Sequence, residues 1–143
     1  MTSGLRTGPS KPNPAGMLVL EHVLTDRGSK YAVSGGPAGS AEEARAFVTE
    51  LKRRKKFAKA THNSWGLLCA EGPLKNDDGE SGAGMVILRM LEREGLRDHV
   101  VVVTRWYGGK HLGGDRFRHV QEAVRAYVEA LGLERRLGLN RRI

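Results

Sequence analysis

One cysteine, Cys69, stands in a chain of 143 residues, so an internal disulfide and any cysteine-based zinc site are excluded. With no disulfide framework to protect, a reducing cytoplasm is the expected compartment. No apolar run approaches the roughly 18 residues that cross a bilayer, so no membrane partner is expected. Residues Met1 to Gly16 lack the continuous apolar centre of a secretory signal and read as a disordered lead-in. Aromatic residues make up only 6% of the chain, fewer than RNA-binding modules usually display. Neither an internal repeat nor a linker long enough to separate two domains is present. The chain is long enough for one core and no more.

Glycine and positive charge are in excess. There are 19 glycines, nearly twice an average share of about 7%, which points to tight turns and close backbone approaches. The formal net charge is +8, a balance that favours polyanionic partners such as RNA, a ribosome or an acidic protein surface. The excess is uneven: Lys52-Arg53-Arg54-Lys55-Lys56 ends the first predicted helix, which should stop within that run or just after it, and Arg135-Arg136 with Arg141-Arg142 dominates the C-terminus. Cations at a helix end also complement its dipole, so a solvated end and a docking surface are both open readings of the first cluster.

Met17 to Leu24 reads as a strand entering a turn, and Ser29 to Ser34 as a second strand paired with it. Ser40-Ala41-Glu42-Glu43 has capping-box spacing, and the helix after it turns Ala44, Phe47, Val48 and Leu51 inward. Ser64 to Ala70 is a third strand, with Cys69 as a small buried hydrophobe, and Gly72-Pro73 ends it. An acidic glycine-rich loop, Asn76 to Gly84, leads to a helix from Met85 to Glu94 with Met85, Leu88 and Leu91 facing in and Gly95 as its stop. Four consecutive valines, Val100 to Val103, suit a strand buried on both faces. Thr104-Arg105-Trp106-Tyr107 is its polar end, followed by a loop in which Gly108-Gly109 and Gly113-Gly114 bracket Lys110 and His111. The last helix places Phe117, Val120, Val124, Tyr127, Val128 and Leu131 on one stripe. The expected fold is α/β (α+β): a two-layer sandwich with one mixed sheet of about four strands and helices mainly on one face. Its expected parts are a tail at 1–16, a core domain at 17–132 and a frayed basic tail at 133–143.

Few of these residues assemble into a reaction centre. Asp77, Asp78 and Glu80 could hold a divalent cation through oxygen, but their spacing is not that of an EF-hand, and acids before a helix also stabilise its N-terminus. The Gly-Gly-Lys-His-Leu-Gly-Gly loop lacks the order of a phosphate-binding G-x-x-x-x-G-K-[ST] loop. Free amides before the last helix, with Lys110 and Arg116, could still attract phosphate. His62, His111 and His119 form no i, i+4 zinc pair, and His119 is expected at the surface. No serine stands in a G-x-S-x-G elbow. An enzyme is the less favoured class, and no cofactor or metal is called for. Trp106 and Tyr107 beside Arg105 and Lys110 make a plausible stacking-and-cation edge for RNA.

Four motifs in order then resemble the IMPACT/YigZ family over about Thr25 to Leu131. They are Asp26-Arg27-Gly28-Ser29-Lys30, Ala60-Thr61-His62-Asn63, Asp77-Asp78-Gly79-Glu80 with Gly84, and Val103-Thr104-Arg105-Trp106-Tyr107-Gly108-Gly109 with Leu112-Gly113. Arg105 through Phe117 and His119 are closer to the eukaryotic IMPACT version than to bacterial YigZ. The resemblance implies a fold related to a ribosomal small-subunit protein domain and to domain IV of elongation factor G. It also implies a translation-linked role in stress response: eukaryotic members bind a ribosome-associated activator of a starvation-sensing kinase and restrain that kinase, and associate with actin. IMPACT proteins carry a further N-terminal domain and YigZ proteins a C-terminal one, and this sequence matches the shared core alone. The expected activity is therefore non-enzymatic binding of a translation-associated protein, ribosome or RNA surface. The expected functional edge is Arg105, Trp106, Tyr107, Lys110 and Arg116 with His62, Asn63, Asp77, Asp78 and Glu80. The alternative is a metal-dependent hydrolase of nucleotides or RNA built on Asp77, Asp78, Glu80 and His62.

Overall fold

The computed structural model describes residues 16–138. The expected lead-in, except Gly16, and the last five residues of the basic tail lie outside the described residues. A hairpin of β1 (Leu18–Asp26) and β2 (Ser29–Pro37) opens the fold, followed by α1 (Ala41–Leu51) and a single turn, α2 (Lys55–Ala58). Then come β3 (His62–Cys69), β4 (Gly72–Asn76), α3 (Ala83–Glu94), β5 (His99–Trp106) and α4 (Asp115–Arg136). The strands form one sheet in the order β1-β2-β5-β3-β4. The valine strand β5 thus lies at its centre.

The α+β architecture is as expected, with two corrections to the sheet. It has five strands rather than about four, and every pairing is antiparallel rather than mixed. The strand unforeseen in the sequence is β4, where Gly72 and Pro73 look like breakers. Among the described strands β4 pairs only with β3 and forms a sheet edge, where a proline's missing N–H need not interrupt a ladder.

Side-chain alternation along β5 builds two cores. Val101 and Val103 face α3 and α4 together with Tyr31, Ile87, Leu91, Val124 and Tyr127. Val100 and Val102 face α1 and α2 with Phe47, Leu51, Phe57, Trp65 and Leu67. All four valines are at most 3% exposed, and each contributes about 1.5–3 kcal/mol by burial. The two long helices, α3 and α4, share one face, but α1 and α2 pack on the other, so helices cover both faces of the sheet rather than mainly one.

Local chemistry explains the helix ends. Ser40 Oγ accepts from the Glu43 amide at 3.1 Å, while Glu43 reaches back to the Gly39 amide at 2.6 Å, a capping box displaced by one residue. α1 stops at Leu51, before the basic run rather than within or after it, and a separate turn, α2, forms inside the run with Phe57, 1% exposed, anchoring it in the core. α3 ends at Gly95, whose φ is 66°. Met85 is 41% exposed rather than inward; Ile87 takes the core place beside Leu88 and Leu91. α4 runs past Gly132 to Arg136. No helix among the described residues is long and apolar enough to cross a membrane.

Candidate functional site

At the end of β5, pairing with both neighbours sets up two rows of side chains. Tyr31, Arg105 and His62 are register partners on the α3/α4 face. One residue further on, Lys30 pairs with Trp106 on the opposite face. Arg105 and Trp106, adjacent in sequence, are thereby sent to opposite sides of the sheet.

Arg105 is 6% exposed and Glu80 3%. Arg105 Nη1 donates to both Glu80 oxygens at 3.0 and 2.9 Å, and its Nε reaches Ser29 Oγ at 3.4 Å. Arg116 approaches the same carboxylate at 3.5 Å and His62 at 3.9 Å. A buried carboxylate is held here by several cationic and polar neighbours, which offset its loss of water. The Tyr31 ring lies under this group, 6.0 Å from the Arg105 guanidinium carbon, and burial pushes its hydroxyl up to about 12.

The acidic loop is locked from within. Asp77 accepts from the Gly82 amide at 3.0 Å and the Gly84 amide at 2.8 Å, at the start of α3. Burial raises the Asp77 carboxyl, but those two amides and Lys75 outweigh it and hold it below its ordinary value. Asp78 accepts from the Asn63 amide at 2.6 Å, and its carbonyl meets His62 Nδ1 at 2.8 Å. Asn63 accepts from Thr104 Oγ1 at 2.7 Å and donates to the Phe57 carbonyl at 3.3 Å. The three acids suggested for a cation therefore direct oxygens at protein amides and guanidinium groups. Among the described residues, no three of His, Cys, Asp and Glu converge to hold a metal.

The glycine loop after β5 is tied to the β1–β2 turn. Ser29 Oγ accepts from the Gly108 amide at 3.1 Å, and the backbones of Gly28 and Gly108 touch so closely that a Cβ on Gly108 would overlap Gly28 and Ser29. Arg27 bonds Asp115 at the head of α4 and the His111 carbonyl at 3.3 Å. His119 is 8% exposed, not at the surface as expected; its Nε2 lies 2.8 Å from Asp26 and its ring meets Tyr31 edge-on. The His119 bond, followed by Arg27, lowers the Asp26 carboxyl, and Arg27 does the same to Asp115. Sequence reasoning did not assign roles to Ser29, Asp26 or His119. Gly28 before Ser29 and the Gly108-Gly109 pair before Lys110 are the local signal that two turns meet.

What projects from this frame is a different subset. Tyr107 is 46% exposed; its amide donates to Thr61 Oγ1 at 2.9 Å, and its ring lies 5.7 Å from the Arg105 guanidinium carbon and 6.1 Å from the His111 ring. Lys110 is exposed. Trp106 is half-buried, its Nε1 donating to the Lys56 carbonyl at 3.0 Å and its ring 5.4 Å from Phe57. The structure thus gathers Arg105, Glu80, His62 and Arg116 into one buried network, puts Asn63, Asp77 and Asp78 into its frame, and leaves Trp106, Tyr107 and Lys110 facing outward.

Comparison with known proteins adds a family to this geometry. Residues 27–128 match the model of the Impact N-terminal domain. The Protein IMPACT of Bos taurus is 36% identical over 108 residues, covering 71% of this chain and 34% of that protein. The chain spans about a third of that relative's length. A solved structure of the two-domain translational regulator Yih1 aligns at a TM-score of 0.50 and 30% identity, over 91% of this chain and 53% of the other. A crystal structure of a hypothetical protein aligns at a TM-score of 0.68 and 24% identity, over 81% and 58%, a likeness of fold alone.

Proposed function

The chain belongs to the Impact N-terminal domain family, and from that premise we propose that it serves translational regulation by binding, without catalysis. Its partner is a translation-associated protein or the ribosome, met by the surface around Tyr107 and Lys110. One observation carries the reading: the groups with the most chemistry, Arg105 and Glu80, are only 6% and 3% exposed and bind each other. They brace a strand end and a glycine loop, and that loop presents Tyr107, Lys110 and His111 to solvent. A solved relative described as a translational regulator supplies the process.

The test is co-sedimentation of the purified chain with ribosomes across a range of salt. Saturable retention that survives moderate salt and falls in Tyr107→Ala and Lys110→Ala is the expected result. Retention that decays smoothly with salt and ignores both substitutions would reduce the interaction to general attraction for phosphate. Absence of ribosome binding at every salt would leave a protein partner, to be sought by crosslinking from the same loop.

A further inference from the structure

We infer that the cleft beside Trp106 is a site for unpaired RNA, taking a base against the aromatic side chains and its flanking phosphates on the lysines. This inference rests on the translational reading above and names the ligand of the adjoining surface. The cleft is lined by Glu21, His22, Lys30, Lys56, Trp106 and Tyr107, with Gly28 at its rim, and has a volume of about 570 Å³. That lies within the roughly 300–1,000 Å³ typical of small-ligand sites.

Its construction is specific. β1 carries a register shift between Leu20 and Leu24, and the irregularity turns both Glu21 and His22 out to solvent at one wall. Register pairing places Lys30 beside Trp106 on the same face. The indole is fixed by its bond to the Lys56 carbonyl, and Lys56 Nζ stands over the ring, 5.6 Å from its centroid, the place a stacking base would take as the flexible lysine swings to its phosphate. Tyr107, 46% exposed, also lines the cleft, its ring backed by the Arg105 guanidinium at 5.7 Å. An aromatic floor with cations around it suits a base and its phosphates, since every base has a stacking face and every linkage a charge.

Charge favours a polyanion. Glu21 is the acid of the lining, and it is met by both Lys56 at 3.2 Å and Arg54 at 3.8 Å. Lys30 forms no ion pair among the described residues, and exposed Lys52, Arg53, Lys55 and Lys59 extend the basic surface from the cleft along α2. A second cavity, about 620 Å³ beside Phe47, is rimmed by Glu43, Glu50 and Asp98, a charge that would repel phosphate. A duplex, whose bases are stacked inside, cannot offer a base to the indole. The ligand is single-stranded.

The experiment uses Trp65→Phe, which leaves Trp106 as the only one of two tryptophans, titrated with a short oligouridylate while indole fluorescence is followed. Saturable quenching is expected, with no quenching by duplex RNA of equal phosphate number or by heparin. Lys30→Ala should lower the salt slope of binding by about 0.7, and Tyr107→Ala should weaken binding roughly tenfold. If Trp65→Phe misfolds, the wild-type chain and Tyr107→Ala are compared by anisotropy of a labelled oligouridylate. Equal response to heparin, or indifference to Tyr107→Ala, would overturn the inference. Ribosome retention persisting in a chain that ignores oligouridylate would overturn the RNA site and leave the translational reading standing. Oligouridylate binding without ribosome association would do the reverse.

Discussion

Arg105 illustrates how a residue can look like a binding group and act as a brace. Its guanidinium and the Glu80 carboxylate meet at 2.9 Å with both side chains almost wholly buried. Removing one partner of such a pair leaves a charge without compensation and costs about 3–5 kcal/mol, whereas replacing both by apolar residues of similar size is close to neutral. Arg105→Met should therefore lose most of that amount in urea unfolding, and Arg105→Met with Glu80→Leu should regain most of it. If the double variant is as unstable as the single one, Arg105 is held chiefly by Ser29 and Tyr31 and the pair is incidental. Strand parity divides the side chains expected to share one edge: Arg105 and Trp106 leave β5 on opposite faces, while the Arg105 guanidinium carbon lies 5.7 Å from the Tyr107 ring. The polar end expected at Thr104 to Tyr107 is regular strand as far as Trp106, and that regularity is what alternates its side chains between the faces. His119 was hidden for a different reason: its burial depends on Asp26 and Tyr31, both far away in sequence.

At the scale of elements, short-range chemistry was the most legible. The Ser40 cap, the inward stripe of α1 and the buried valines of β5 follow from local spacing, and all appear in the fold. β4 did not, because Pro73 is compatible with a strand only at an edge, and edge position is a property of the whole sheet. α3 shows how the acidic loop serves its helix. Asp77 closes two amides at its N-terminus, so Asp77→Ala should destabilise the chain by about 1–2 kcal/mol, read as a lower urea midpoint with an unchanged slope. α4 is joined to β5 by a buried bond of 2.6 Å between His99 and Tyr127. Burial, then the nearby Arg135, lowers the His99 pKa from 6.5 to about 4. Below about pH 6.5 the unfolded chain takes a proton that the folded chain refuses, so stability falls as pH drops and stops falling from this source below about 4. The loss is on the order of 3 kcal/mol. His99→Asn should flatten that part of the profile; a profile parallel to the wild type would show that another group carries the acid sensitivity.

For the molecule as a whole, the question is whether its positive charge acts as a total or as a pattern. The net charge of +8 would attract any polyanion at low salt. Position matters only if cations sit together near a shape that can use them. The run from Lys52 to Lys59 is exposed except for Phe57 and adjoins Trp106 through Lys56. Arg89 and Arg125 are exposed on α3 and α4, the helices of the opposite face. Two double reversals separate the possibilities, because they remove the same charge from different places. Lys55→Glu with Lys59→Glu should lower ribosome retention and the steepness of its salt dependence, while Arg89→Glu with Arg125→Glu should leave both near the wild-type values. Thermal melting of the two variants checks that each remains folded. Equal losses from both would mean that total charge governs association, and the face carrying α2 and Trp106 would then have no special claim on the partner.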